Sequence, residues 1–367
     1  MNTDRHIQAL HRAVGLENEG AFFEAEQLYK QLVRQPKESE MAQYQYAQFL
    51  LRVGKYEKAW PHFMRRLEIP AYRGRSAASL KEPYWDELNR EVDQKHTILV
   101  YADQGIGDAL MCARFLTVLA KRFHHVIFMV FEGYRALFAS LSPKITIIEF
   151  GETLPKFDVH ADLFSIPAIL NTTLDDIPEP VCLQIEHNDQ EPWVDRLPKG
   201  TLNVGLAWQG NPLHARDKER SAELIDFNPL IQSPCHFYSL QVGEAESQIY
   251  DMPKPLNLKI FPEISESITA IDDKMLKTSA LISCLDMVIT VDTAIAHLAG
   301  ALGVPAWVLV SKIPDWRWLM DTDTSPWYPA SRIYRARERY NWCHPIERMC
   351  HDLDAKIRDY DGYSINS

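Results

Sequence analysis

From His96 onward the chain alternates short runs of β-branched and apolar residues with segments of helical periodicity. That alternation restricts the fold more than any other feature, because parallel βαβ units are how such a pattern buries both faces of its strands. Thr97 to Ala102, His125 to Phe131 and Ile145 to Phe150 read as strands, with a helix over Ala109 to Arg122. Beyond the Pro-punctuated stretch Ile177 to Pro198 a second series begins. Its strands are Leu202 to Trp208, Phe237 to Gln241, Met287 to Val291 and Ala306 to Val310, and its helices Asp273 to Cys284 and Ala294 to Leu302. The pattern predicts an α/β protein with two Rossmann-like, doubly wound domains in tandem, over 96–195 and 196–334. In such sheets ligands bind beyond the carboxyl ends of the strands.

The first 70 residues follow another period. Ala13, Leu16, Gly20, Phe22, Ala25 and Pro36 recur 34 residues later as Ala47, Leu50, Gly54, Tyr56, Ala59 and Pro70. This is the spacing and chemistry of a tetratricopeptide repeat: the alanines let paired helices approach, the glycines end the first helix of each pair, and the aromatics fill the gap. Two repeats bury little surface, so an α-helical module over 1–72 is expected to dock on the α/β portion of the chain. A polar linker over 73–95 comes next, with Tyr84 and Trp85 packing back onto a core. At the other end, 335–367 reads as a helical tail, with Ile346, Met349 and Leu353 on one face, expected to return to the first α/β domain.

Fifty acidic against 39 basic side chains give a net charge of −11, which works against attraction to phosphate backbones, so nucleic acid is not an expected partner. The longest apolar runs, such as Val126 to Phe131, fall far short of the roughly 20 residues of a membrane span. No secretory pattern opens the chain, so a cytoplasmic location and six free cysteines are expected. Cys343, His344, Cys350 and His351 match no standard zinc template, and neither a metal nor a cofactor is expected.

Three motifs carry candidate chemistry. Gln104-Gly105-Ile106-Gly107-Asp108 opens a helix after the first strand, where glycines admit a ligand and the helix start favours an anion. Leu110 stands where a dinucleotide fingerprint needs its third glycine, which disfavours an NAD enzyme. Asp108 reads either as a general base for an acceptor hydroxyl or as a helix cap. In the second motif, Asp292-Thr293-Ala294 through His297, Thr293 caps a helix whose first amides form a diphosphate cradle. His297, one turn on, faces a ribose or phosphate, or is a packing residue. The third motif, the loop after Trp208, gathers Arg216, Lys218 and Arg220, suited to an anionic leaving group or to a solvated surface. The tryptophan clusters at 314–318 and 325–329 read as sugar platforms or as core. Asp321-Thr322-Asp323 reads as a chance DxD.

Taken together, Gly105-Ile106-Gly107-Asp108, Val204-Gly205-Leu206-Ala207-Trp208 with its basic loop, and Asp292-Thr293-Ala294 through His297-Leu298-Ala299 resemble the bacterial heptosyltransferase group of glycosyltransferases (glycosyltransferase family 9), most closely its tetratricopeptide-containing members. The resemblance implies a GT-B fold, two domains facing a cleft, and inverting, metal-independent transfer of a sugar from a nucleotide-diphosphate donor to an acceptor hydroxyl. It implies Asp108 as the base and Asp292, Thr293 and Ala294 as donor-phosphate contacts, with Lys218 or Arg220 standing for a catalytic lysine. The expected donor set is completed by Gly107, Trp208, Gln241 and His297. The acceptor is expected to be a glycan, a lipid-linked sugar or a protein, since helical repeats also accompany the protein-modifying O-GlcNAc transferases. The repeats leave room for a protein partner. A non-catalytic adaptor and a sugar-nucleotide epimerase are the alternatives.

Overall fold

The computed structural model describes residues 2–34, 40–70, 72, 80–86, 94–266 and 275–364. Most of the expected linker at 73–95, Pro36 of the repeat and Asp273 lie outside these residues.

Four helices come first: α1 (Asn2–Glu19), α2 (Phe22–Leu32), α3 (Glu40–Arg52) and α4 (Tyr56–Met64). They form two antiparallel hairpins. Gly20 and Gly54 end the first helix of each with left-handed φ values of 88° and 77°, a conformation that a Cβ would penalise. Ala13, Ala25, Ala47 and Ala59 are fully buried, and Phe22 packs toward Phe49.

The first sheet contains β1 (Thr97–Tyr101), β2 (His125–Val130), β3 (Ile145–Glu149) and β4 (Val159–Asp162), in the order β3-β2-β1-β4 with every pair parallel. Helix α5 (Ile106–Arg122) follows β1. The second sheet contains β5 (Asn203–Ala207), β6 (His236–Ser239), β7 (Leu258–Lys259), β8 (Met287–Val291), β9 (Ala306–Val310), β10 (Thr324–Ser325) and β11 (Tyr328–Arg335). Its order is β10-β11-β9-β8-β5-β6-β7, parallel apart from the β10/β11 pair. The longer helices around it are α6 (His187–Val194), α7 (Leu276–Ser283), α8 (Ala294–Ala301) and the tail helix α9 (Cys343–Ser364). Strand order reverses beside β1/β4 in one sheet and beside β5/β8 in the other. The loops after these strands are thus the binding positions of a doubly wound sheet.

Two expectations about domain limits are corrected. The tail does not return to the first sheet. Trp342, Ile346, Met349, Leu353 and Ile357 bury against Phe227, Leu230 and Ile231 on the second half, and Tyr334 donates to Asp352 at 2.9 Å. Only the short reversal around Glu338 and Asn341 separates β11 from α9, which keeps the helix on its own sheet. Likewise α6, expected within the first domain, packs on the second half: Gln190 donates to Ser283 at 2.9 Å and Trp193 meets Phe261.

The helical module docks as expected, and on both halves. One contiguous apolar core runs from α1–α4 through the first sheet to one face of the second. Trp60 donates its indole N–H to the Thr172 carbonyl at 2.7 Å, Arg52 donates to the Pro314 carbonyl at 2.8 Å, and Trp316 packs against Tyr56, Trp60, Phe164 and Trp327. The core reading of the tryptophan clusters therefore holds: Trp316, Trp318 and Trp327 are all buried. Trp85, within the expected linker, is buried edge-on against Phe123. Among the described residues no helix is long and apolar enough to cross a membrane.

Candidate functional site

The loop after β1 begins with Ala102 and Asp103 and ends where α5 starts. Gly105 is the N-cap, and its N–H donates to Asp108 Oδ2 at 3.0 Å. The cap reading of Asp108 is thus realised with one oxygen. The other faces the second half: Arg317 Nη2 donates to Asp108 Oδ1 at 2.5 Å. Asp103, Gln104, Gly105, Asp108, Leu163 and Phe164 surround one small hollow at the β1/β4 switch.

Beneath that hollow lies a buried ionic cluster to which the helical module contributes. Arg66, just after α4 and fully buried, donates to Asp162, to Ser165 Oγ at 2.9 Å and to Asp103 Oδ2 at 3.4 Å. Tyr84 and Ser165 also donate to Asp162 Oδ2, at 2.6 and 2.8 Å. Burial, and then the charge of Asp162, push the Asp103 carboxyl well above the usual range. Asp162 is held below it because burial is outweighed by Arg66 and the two hydroxyls.

On the second half, Thr293 caps α8 as expected, its Oγ1 accepting from Ile295 N–H at 3.3 Å. Asp292 is buried, and burial together with the Asp315 carboxylate raises its pKa despite Arg317 and Arg220 nearby. His297 lies in the packing: its ring stacks on Trp318 with centroids 5.6 Å apart, and its Nδ1 meets the Tyr328 hydroxyl at 3.0 Å. Burial and the surrounding arginines depress its pKa well below the ordinary value, so the ring is neutral.

The two helix starts touch. A Cβ on Gly107 would sit 2.9 Å from His297 Cδ2 and 3.4 Å from Ala294 Cα. Asp108, Gly107, Asp292, Thr293, Ala294 and His297 therefore gather at one place, with Arg317 across the joint.

Among the remaining expected residues, Arg220 is close enough for its charge to act on Asp292 and His297, whereas Trp208, Gln241 and Lys218 are engaged or exposed elsewhere. Trp208 is fully buried in the core on the far face of the second sheet. Gln241 is a backbone brace: its Oε1 accepts from the N–H groups of Trp208 and Gln209 at 3.0 and 2.9 Å, and its Nε2 donates to the Gln209 and Val242 carbonyls. The Gln241 side chain is consumed in holding the loop, and that of Trp208 in the apolar core. In that loop the basic residues alternate with acids. Arg216 pairs with Glu219, Arg220 pairs with Asp217 and lies against Gly210, and Lys218 is exposed. Asp323 pairs with Arg348 on α9. Cys343, His344, Cys350 and His351 share helix α9. Among the described residues no group of three or more His, Cys, Asp or Glu side chains is placed to hold a metal.

Sequence reasoning missed Asp103, Asp162, Arg66 and Arg317. Asp103 stands immediately before the first motif, directly after the expected strand. The other three carry no local signal, since their partners are distant in sequence.

No family model matches the chain. Among curated proteins it is similar to protein FlbA of Caulobacter vibrioides, 24% identical over 351 residues, covering 89% of this chain and 56% of FlbA. The chain thus spans a little over half the length of that relative. Among solved structures it is similar to the Escherichia coli ADP-heptose lipopolysaccharide heptosyltransferase II. The TM-score is 0.50 and the identity 14%, over 72% of this chain and 99% of the other. A glycosyltransferase family 9 protein of Veillonella parvula aligns with a TM-score of 0.47 and 12% identity, over 67% of this chain and 87% of that one. Over the 72% aligned with it, the chain's fold resembles that of heptosyltransferase II.

Proposed function

We propose that the chain is a glycosyltransferase of GT-B architecture, with an N-terminal tetratricopeptide module, that uses a nucleotide-diphosphate sugar donor. The observation that carries this reading is the meeting of two helix starts at the strand-order switch points of two parallel sheets. One bears a carboxylate, Asp108, and the other the Thr293 cap, which accepts from Ile295 N–H, with Ala294 beside Gly107. A helix start with free N–H groups stabilises the charge that develops on a departing diphosphate.

In this reading the acceptor hydroxyl attacks the anomeric carbon, Asp108 takes its proton, and the bond to the diphosphate breaks with its electron pair leaving on oxygen. The outcome is inversion. Lys218 or Arg220 reaches the leaving group once the loop after β5 folds over it. The acceptor is a glycan, a lipid-linked sugar or a polypeptide.

The test is release of nucleoside diphosphate from ADP-, UDP-, GDP- and dTDP-sugars with glycan, lipid-linked and peptide acceptors. Acceptor-dependent release that disappears in Asp108→Asn while donor binding persists supports the reading. Full turnover by that variant removes Asp108 from the mechanism, and donor turnover without acceptor points to an epimerase.

One observation favours a second reading, that of an adaptor without transferase activity. Gly107, His297 and Ala294 fill the gap between the helix starts with protein atoms. A diphosphate enters only if the halves part there. Donor binding without transfer to any acceptor supports the adaptor.

A further inference from the structure

Arg317 stands across the joint between the two helix starts, and the proposed transfer mechanism gives it no part. Its guanidinium is shared: Nη2 on Asp108, Nη1 on Asp315 Oδ1 at 3.1 Å, and Nε toward Met111 Sδ at 3.3 Å, with the whole group over the Trp316 ring. The charge of Asp292 acts on it as well. Asp315 and Asp292 belong to the same half as Arg317, whereas Asp108 belongs to the other. The contacts to Asp108 and Met111 thus cross the joint, and the one to Asp108 is the charged one. It can be surrendered without leaving Arg317 bare, because two carboxylates remain on its own side. While it is in place, both oxygens of Asp108 are engaged, Oδ1 by Arg317 and Oδ2 by Gly105 N–H.

Resting on the transfer reading, we propose that Arg317 is a positioning residue that couples donor occupancy to Asp108. With the joint closed it pins Asp108 in place. The diphosphate of a bound donor, seated at the start of α8, brings negative charge to the half that carries Arg317 and draws its guanidinium to the phosphate oxygens. Gly107 then parts from His297, and Asp108 Oδ1 is free to accept the proton of the attacking hydroxyl. The carboxylate becomes available only when the leaving group is present. A structural ion pair has no such dependence, and a partly exposed pair such as this contributes little to stability on its own.

Hydrogen exchange read by mass spectrometry on the full chain tests this, with ADP, UDP, GDP and dTDP as probes and with Arg317→Met and Arg317→Lys beside the wild type. In the wild type, the nucleotide that binds slows exchange at 293–298 and speeds it at 105–109 by about tenfold, within the usual range of coupling between two sites. Arg317→Met exchanges fast at 105–109 without nucleotide and binds that nucleotide about tenfold more weakly. Arg317→Lys restores both in part. The wild-type comparison stands even if a variant folds poorly. Nucleotide binding that leaves 105–109 unchanged overturns the coupling alone. An absence of binding to the wild type overturns the coupling and the donor reading together.

Discussion

Trp327, just before β11, donates its indole N–H to the Tyr56 hydroxyl of α4 at 2.8 Å, a contact that spans 271 residues of sequence. It joins the helical module to the second sheet in the middle of a cluster of buried aromatic rings. Tyr56→Phe leaves a buried donor without a partner and is expected to cost about 1–3 kcal/mol. Trp327→Ala empties the joint and is expected to cost about 3–5 kcal/mol. Urea unfolding of both variants checks the order, and equal losses would show that the hydroxyl, not the ring, sets the strength of the joint.

Two helical glycines should respond in opposite ways to alanine. A Cβ at Gly300 would fall 2.2 Å from Tyr328 Cδ1, and that ring is held by His297, Trp318 and Arg114. Gly300→Ala is expected to destabilise by about 1–3 kcal/mol through overpacking. Gly15 in α1 has nothing within 4 Å of such a Cβ, and Gly15→Ala should stabilise by up to about 1 kcal/mol. Melting temperatures of the two variants decide it.

His297 sets an acid limit on stability. Its folded pKa lies well below the ordinary 6.5. Above that value both states are neutral there. As pH falls through 6.5 the unfolded chain takes a proton that the folded chain refuses, so stability is lost toward lower pH, by at most about 1.4 kcal/mol per unit. Denaturation at pH 7.5, 6.5 and 5.5 should show a steeper loss for the wild type than for His297→Gln. Parallel losses would place the acid sensitivity elsewhere.

Removing Arg66 should be severe. Arg66→Met leaves Asp162 buried beside Asp103 with no cation between them, an expected loss of about 3–5 kcal/mol. Pairing the change with Asp162→Asn should recover part of that loss, measurable as a double-mutant cycle in urea.

Much of the frame was readable from residues near one another in the chain. Met287 to Val291 and Ala306 to Val310 form strands with the expected limits, because uninterrupted β-branched and apolar runs have few alternatives. The caps of α5 and α8 were equally local. Strand β4 was missed because its sequence, Val-His-Ala-Asp, is short and half polar, its His and Asp being drawn into a buried network. Strand β11 was hidden by Pro329, which weakens a strand reading. The site divides the same way. Asp108 and Thr293 announce themselves by position in a turn, whereas Arg317 sits between tryptophans and acquires meaning only from Asp108, 209 residues away. Trp208 and Gln241 sit beside strand ends, where ligand contact and loop bracing leave the same local pattern.

The measurement that bears most directly on the central claim is a thermal-shift titration of the full chain with ADP, UDP, GDP and dTDP and their sugar conjugates. The account predicts that nucleotides of one base raise the melting temperature saturably, adding about 2.7 kcal/mol at a hundred times the dissociation constant, and that Thr293→Val weakens the response. No shift with any of them would contradict it.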